Sequence, residues 1–279
     1  MGNEKLLNIG CGETLHPRWV NVDIVASMPG VHAHDVRCGL PYADHIFDAC
    51  YCSHMLEHVM KDQARVIVGE AYRVLKKGGI ARFVVPDLEQ IARLYLKTLE
   101  DVTSGQGERE ADYDWMILEL FDQTVRSLPG GEMGVYLSDP ALPNKAFIEG
   151  RIGLEAERVW RRNLIPRRAH IWAKLKSMKA SWFVRQLRIE LAGFLLRISA
   201  SASAKKAFRE GLFRESGEIH RWMYDRFSLH RLLSQAGFSG VKVCNADESA
   251  IPDFNSYDLD VCEKIVRKPD SLYMEAVKP

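Results

Sequence analysis

The chain has 279 residues, 47% of them hydrophobic and 27% charged, with a formal net charge of +1. That length buries one sizeable core, or one core with a smaller appended unit, and the composition excludes low-complexity and repeat architectures. A net charge so close to zero gives no global field to draw in nucleic acid or an acidic substrate. The average hides an asymmetry, because residues 158–209 hold fourteen Lys or Arg against Glu190 alone, a basic block inside an otherwise acidic chain.

The start, MGNEKLLNIG, has a charged pair and then a strand where a signal peptide would place a long apolar region. Gly2 is followed at position 6 by Leu instead of Ser or Thr, a poor match to a myristoylation signal. No run of eighteen apolar residues predicts a membrane span. Cys11, Cys38, Cys50, Cys52, Cys244 and Cys262 form no CxxC pair and no zinc-like set, so no metal is expected, and thiols in apolar runs suit a reducing compartment. These features predict a cytoplasmic protein.

In chain order, short apolar runs at 5–9, 19–24, 31–34, 47–52 and 80–86 read as strands. Between the last two, Ala64, Ile67, Val68, Ala71 and Leu75 recur at helical spacing, and Gly78 reads as the helix stop. Residues 88–99 read as a helix. Clear strand patterns then cease over roughly 100–218, where helices joined by Pro and Gly turns are expected. A helix at 228–236 and strands at 241–245 and Ser271–Val277 finish the pattern. Strands alternating with helices predict an α/β fold, a doubly wound, mostly parallel sheet formed by 1–99 and 219–279 with a mainly helical insertion at 100–218.

The first strand runs into Gly10-Cys11-Gly12, where glycine admits positive φ and lets a ligand approach the backbone. The second ends at Asp23, at the position where nucleotide-binding α/β folds place a carboxylate for ribose hydroxyls. The third leads to Asp35-Val36, an acid and an apolar residue suited to an adenine edge and face. The fourth leads into Ser53-His54-Met55-Leu56-Glu57-His58. All four strands would end on the edge of the sheet where open α/β sheets bind ligands.

With Glu70-Ala71-Tyr72-Arg73-Val74-Leu75-Lys76-Lys77-Gly78-Gly79 and the strand to Pro86-Asp87, this ordered set resembles class I S-adenosylmethionine-dependent methyltransferases of the small-molecule and glycan-modifying type. The resemblance covers roughly 1–90 and, more loosely, 219–279. It implies S-adenosylmethionine as cofactor, its methionine part held by Gly10, Cys11, Gly12, Ser53, His54 and Glu57. It further implies ribose at Asp23 and adenine at Asp35 and Val36, with Ile9, Ile24 and His58 beside them. Two features depart from the family pattern: Asn8 stands where an acid is usual, and Glu13 replaces the third glycine. Only ten residues separate Gly12 from Asp23, Pro17 among them, so the helix that normally follows the turn is expected to be very short or absent. A dinucleotide would lose its pyrophosphate cradle there, whereas S-adenosylmethionine carries no phosphate.

Methyl transfer to a hydroxyl needs a base, and Asp87 and His220 are the candidates near the strand edge, histidine being the natural one near neutral pH. His220 lies in Glu218-Ile219-His220-Arg221-Trp222-Met223-Tyr224-Asp225, which looks like the family's stretch of substrate-facing residues, including Tyr224. Gln123 and Arg126, before the turn Pro129-Gly130-Gly131, are candidate acceptor contacts. In the basic block, Phe183, Val184, Leu187, Leu191, Phe194, Leu195 and Ile198 share one helical stripe, with Arg185 and Arg188 opposite. Upstream, Ile171, Leu175, Met178 and Trp182 repeat among Arg167, Arg168, Lys174, Lys176 and Lys179. Two readings fit: a cover packed on the protein's own core, or a peripheral contact of 166–198 with the inner face of an anionic membrane. The expected acceptor is a glycan or other small molecule, lipid-linked if the membrane reading holds. The alternatives are a secondary metabolite, an RNA, which no recognisable module supports, or a cofactor-binding protein without catalysis. The oligomeric state is not legible.

Overall fold

The computed structural model describes residues 4–26, 28–163 and 180–279. The amino-terminal runs form β1 (Leu6–Ile9), β2 (Trp19–Asp23), β3 (Val31–Ala33), β4 (Phe47–Ser53) and β5 (Leu75–Pro86). Near the end come β6 (Ser239–Cys244), a small hairpin of β7 (Val261–Cys262) and β8 (Ile265–Val266), and β9 (Ser271–Val277). The main sheet has seven strands in the order β3-β2-β1-β4-β5-β9-β6. The first five are parallel, and β9 runs antiparallel to both neighbours. The fold is thus α/β with a mostly parallel sheet, as the strand–helix alternation predicts. Residues of β1 are buried throughout and those of β9 nearly so, whereas β6 alternates exposed and half-buried positions at the edge. Central strands covered on both faces read as continuous apolar runs for this reason.

One face packs under α1 (Lys61–Val74) and α9 (Arg226–Gln235), with Ile67, Val68, Ala71, Leu229 and Leu233 in its core. The predicted stop at Gly78 needs correction. The helix ends at Val74, and β5 starts at Leu75, opposite Phe47, and runs on through Gly78. An irregularity in the β4–β5 pairing, between Phe47 and Ala49, takes up the extra residues, so those glycines serve a strand and not a helix end.

The opposite face is left bare by the missing helix: Gly10 to Arg18 contains none. Its cover comes from the far end of the chain. Ile251, Phe254, Tyr257 and Leu259 pack on Leu6, Trp19, Tyr51 and Tyr273. Beneath them Arg82 is fully buried on β5, with Nε 2.6 Å from Asp260 Oδ2 and Nη1 2.9 Å from Glu275 Oε1. It also donates to the carbonyls of Asn245, Ala246 and Glu248.

Residues between β5 and α9 form α2 (Leu88–Thr103), α3 (Glu110–Val125), α4 (Gly131–Tyr136), α5 (Lys145–Ile152), α6 (Leu154–Asn163), α7 (Ala180–Ser199) and α8 (Ala202–Arg214). The first five build a second core around Ile91, Trp115, Met116, Ile148 and Ile152. A buried Glu119–Arg151 pair at 2.7 Å ties α3 to α5. Of the basic stripe, Arg167, Arg168, Ile171, Lys174, Leu175, Lys176, Met178 and Lys179 lie outside the described residues, as does the side chain of Trp182. No helix among the described residues is long and apolar enough to cross a membrane.

Candidate active site

The order of the sheet reverses between β1, which leads to β2 on one side, and β4 on the other, and a crevice at such a switch point is the expected ligand site. Gly10 caps β1 there with φ +67, and a Cβ on it would stand 2.5 Å from Met55 Cγ. The turn bends back on β2, with Gly10 N donating to Val22 O at 2.8 Å and Gly12 N to Asp23 Oδ2 at 2.9 Å. Nothing lies within 4 Å of where a Gly12 Cβ would be, so that side of the turn is open. A cavity of about 220 Å³ follows, bordered by Gly10 to Thr14, Ser53, His54, Asp260 and Lys268. Burial pushes the Cys11 thiol up to about 11, so it forms a neutral wall.

A larger cavity, about 660 Å³, opens beside it between the sheet edge and the helical region; His54, Glu155 and Lys268 border both. Its wall contains Gln123, Arg126, Glu218 and Asp270. The glycine turn before α4 shapes that wall. Gly131 has φ +57, and a Cβ there would meet the Asp122 carboxylate at 2.4 Å. Asp122 in turn holds Arg126 Nη2 at 2.7 Å, and Gly130 N donates to Glu218 Oε1 at 2.6 Å.

The floor is a cluster of imidazoles around one carboxylate. His54 takes φ +49, a left-handed conformation that costs a residue with a Cβ about 1 kcal/mol or more. Its Nε2 lies 2.9 Å from Ser271 Oγ and its Nδ1 lies 3.1 Å from Glu57 Oε1. Glu57 is fully buried, yet neither carboxylate oxygen receives a well-aligned hydrogen bond. Burial pushes its carboxyl up, but His54, with His58 and His220 beside it, outweighs this and holds it down at about 2. The segment carrying His220 is fastened above: Arg221 N and Trp222 N donate to Glu57 O, and His220 N donates to Gln123 O at 2.9 Å. The His58 and His220 rings meet edge to face at 4.8 Å. Burial pushes the His220 imidazole down to about 3, and its Nδ1 has no partner.

Residues 7–83 match the family model for a methyltransferase domain. The match supports an S-adenosylmethionine-dependent methyltransferase and implies that cofactor. The residues fit it: the open side of Gly12 leaves room for a ligand against the backbone, and S-adenosylmethionine, having no phosphate, does not need a helix N-terminus between β1 and β2. No curated protein is similar enough in sequence to match. Among solved structures, a methyltransferase of Thermotoga maritima described as a possible histamine N-methyltransferase is 13% identical, covering 100% of this chain and 84% of its own, with TM-score 0.40. The [4+2]-cyclase SpnF is 23% identical over 30% of this chain and 39% of its own, TM-score 0.25. A methyltransferase of Clostridium acetobutylicum is 18% identical over 33% and 46%, TM-score 0.27. The chain thus spans less than half the length of two of these three, and at these scores the likenesses add nothing to the topology.

The structure brings together Gly10, Cys11, Gly12, Ser53, His54, Glu57, His58, Gln123, Arg126 and His220 around the two cavities. Ile9 is buried in the core behind the turn, and Ile24 stands exposed just after Asp23. Four of the expected residues lie outside the lining of the two cavities. Asp87 is the N-cap of α2, its carboxylate accepting from Glu89 N and Gln90 N, and it borders neither cavity. Asp35 is paired on the surface with Arg37, which donates to its two oxygens at 2.8 and 2.7 Å. Val36 packs in the core. Tyr224 is buried beneath α9, where its backbone bridges to Asp87 away from the larger cavity. Sequence reasoning missed Lys268 and Glu155; a lone Lys in a loop and an acid in a helix's first turn carry no local signal.

Proposed function

We propose that the protein methylates an oxygen of a polar small molecule, a glycan or lipid-linked glycan above all. The observation that carries this reading is the pair of cavities meeting at His54, one against the glycine turn and one walled by hydrogen-bonding side chains. S-adenosylmethionine supplies a methyl group activated on a sulfonium, whose transfer is an in-line displacement that depends on positioning. Gly10, Cys11, Gly12 and Ser53 hold the methionine portion, and Lys268, which borders both cavities, pairs with its carboxylate. Asp23 meets the ribose with Oδ1, which carries only a 3.2 Å bond from Val25 N, and Ile24 covers the adenine. Gln123, Arg126, Glu218 and Asp270 orient acceptor hydroxyls. The hydroxyl proton leaves as the new C–O bond forms, and the imidazoles on the cavity floor are the groups placed to guide it.

Labelled methyl transfer from the cofactor into fractionated cell extracts tests this. Incorporation into polar or lipid-linked glycan fractions is expected. His220→Gln should lower it about 100-fold or more, with affinity for S-adenosylhomocysteine within about twofold of the wild type. Incorporation confined to RNA, or an undiminished His220→Gln enzyme, contradicts the reading.

A second observation favours a membrane-proximal acceptor. On α7, Val184, Leu187, Leu191, Phe194, Leu195 and Ile198 form one helical stripe, each about half exposed or more, up to 71% for Leu187. An apolar stripe within a strongly basic block suits the surface of an anionic bilayer. Vesicles rich in phosphatidylglycerol should pellet the wild type and release a Leu187→Asp/Leu191→Asp variant. Equal, negligible pelleting of both would remove the membrane contact.

A further inference from the structure

We infer that Glu57, His58 and His220 form a binding site for a divalent transition-metal cation, opening onto the larger cavity. One ligand atom from each residue lies within 4.8 Å of the other two. Metal–nitrogen and metal–oxygen bonds of about 2.0–2.2 Å ask for a somewhat tighter cluster, a contraction within reach of side-chain rotation. Two of the three donors lack a well-placed partner. Glu57 is buried to 0% exposure, and its two oxygens have no well-aligned hydrogen-bond donor. A buried carboxylate in that condition is costly unless a cation or further donors complete it. His220 is 5% exposed, and its Nδ1 is likewise buried without a partner.

The surroundings orient these donors as outer partners do in metal sites. His58 Nδ1 lies 3.3 Å from Ile219 O, and a carbonyl can only accept, so that nitrogen carries the proton. The lone pair is thereby on Nε2, which lies 4.0 Å from Glu57 Oε1. A backbone carbonyl fixing the far nitrogen of a ligating imidazole is the common arrangement in such sites. His54, anchored through Nε2 to Ser271 Oγ, places Nδ1 beside Glu57 Oε1 and turns the carboxylate. Two imidazoles and one carboxylate suit Zn²⁺, Mn²⁺, Fe²⁺ or Co²⁺, and leave coordination positions free. Those positions would lie beside the cavity that the three residues line together with His54 and Arg126. The class of ligand they would take is an oxygen donor, a hydroxyl or a vicinal pair of hydroxyls on the acceptor. An ion there would hold that oxygen and make its proton easier to lose. This use of the ion rests on the methyltransferase reading; the binding of the ion does not.

The test titrates full-length protein, stripped with chelator and dialysed, with Zn²⁺ and with Mn²⁺ by calorimetry, and titrates the same samples with S-adenosylhomocysteine. One equivalent of ion per chain is expected, with affinity about 100-fold weaker or more in Glu57→Gln and in His58→Ala. Visible absorption of the Co²⁺-loaded wild type reads nitrogen and oxygen coordination without any variant, which keeps the question answerable should a variant misfold. No ion bound by the wild type, no Co²⁺ spectrum, or affinity unchanged in both variants overturns the site. Ion bound without S-adenosylhomocysteine leaves the site standing and removes the proposed function, and the converse removes the site alone.

Discussion

Arg82→Met should destabilise the fold by about 3–5 kcal/mol, because it strands two buried carboxylates at once. Arg82 is 0% exposed and is held by Asp260 and Glu275, themselves 3% and 2% exposed. Asp260 is further held by Tyr51 OH at 2.5 Å, and Glu275 by Ser249 Oγ at 2.6 Å. Methionine matches much of the volume, so lost packing contributes little and the unpaired charges dominate. For a chain of this size that loss corresponds to a fall in thermal midpoint of roughly 10 °C. Adding Asp260→Asn to Arg82→Met should recover part of it, since one stranded charge is then removed; residues in one network are non-additive in this way. A midpoint within about 2 °C of the wild type for Arg82→Met would mean that the cluster does not hold the carboxyl-terminal segment to the sheet. The consequence reaches the site, because Asp260 also borders the cavity at the glycine turn.

The second large effect is on the cofactor. Gly10→Ala places a Cβ 2.5 Å from Met55 Cγ and 2.9 Å from Met55 Cβ, on a backbone at φ +67. The left-handed conformation costs alanine about 1–2 kcal/mol, and the clash must be relieved by moving either the turn or the 53–58 loop. Both line the cavity, so affinity for S-adenosylhomocysteine should fall at least about tenfold, the equivalent of about 1.4 kcal/mol. Gly12→Ala bears a similar backbone cost, but its Cβ meets nothing within 4 Å, so steric crowding from the protein is absent. It should therefore disturb the fold less than Gly10→Ala, and calorimetry with thermal melts on the two variants separates strain from clash.

The parts of this architecture that were legible in sequence are local. β1, β2 and β4 each run from apolar residues straight into the site, so composition and order reveal them together. The missing helix could be read from ten residues and a proline between Gly12 and Asp23. What escaped is held by contacts between distant segments. The cover of the bare sheet face comes from Ile251, Phe254, Tyr257 and Leu259, more than two hundred positions from Trp19 in the chain, and no periodicity announces it. His58 and His220 stand ring against ring although 161 residues lie between them, so neither reads as half of a cluster. For Asp87, an acid after a strand looks the same in sequence whether it caps the next helix or faces a substrate; the bonds from Glu89 N and Gln90 N show the cap. Tyr224 is similar, since an aromatic near the pocket segment gives no sign in sequence of which way it turns.

On the proposed reading, the carboxyl edge of the sheet receives an adenosyl sulfonium donor at the Gly10–Gly12 turn and the Ser53–His54 corner. Isothermal titration of the purified wild-type chain with S-adenosylhomocysteine tests it most directly. Saturable binding at one site per chain, weakened at least about tenfold by Gly10→Ala, is the predicted result. No heat of binding from a folded wild-type protein, or binding that Gly10→Ala leaves unchanged, would contradict it.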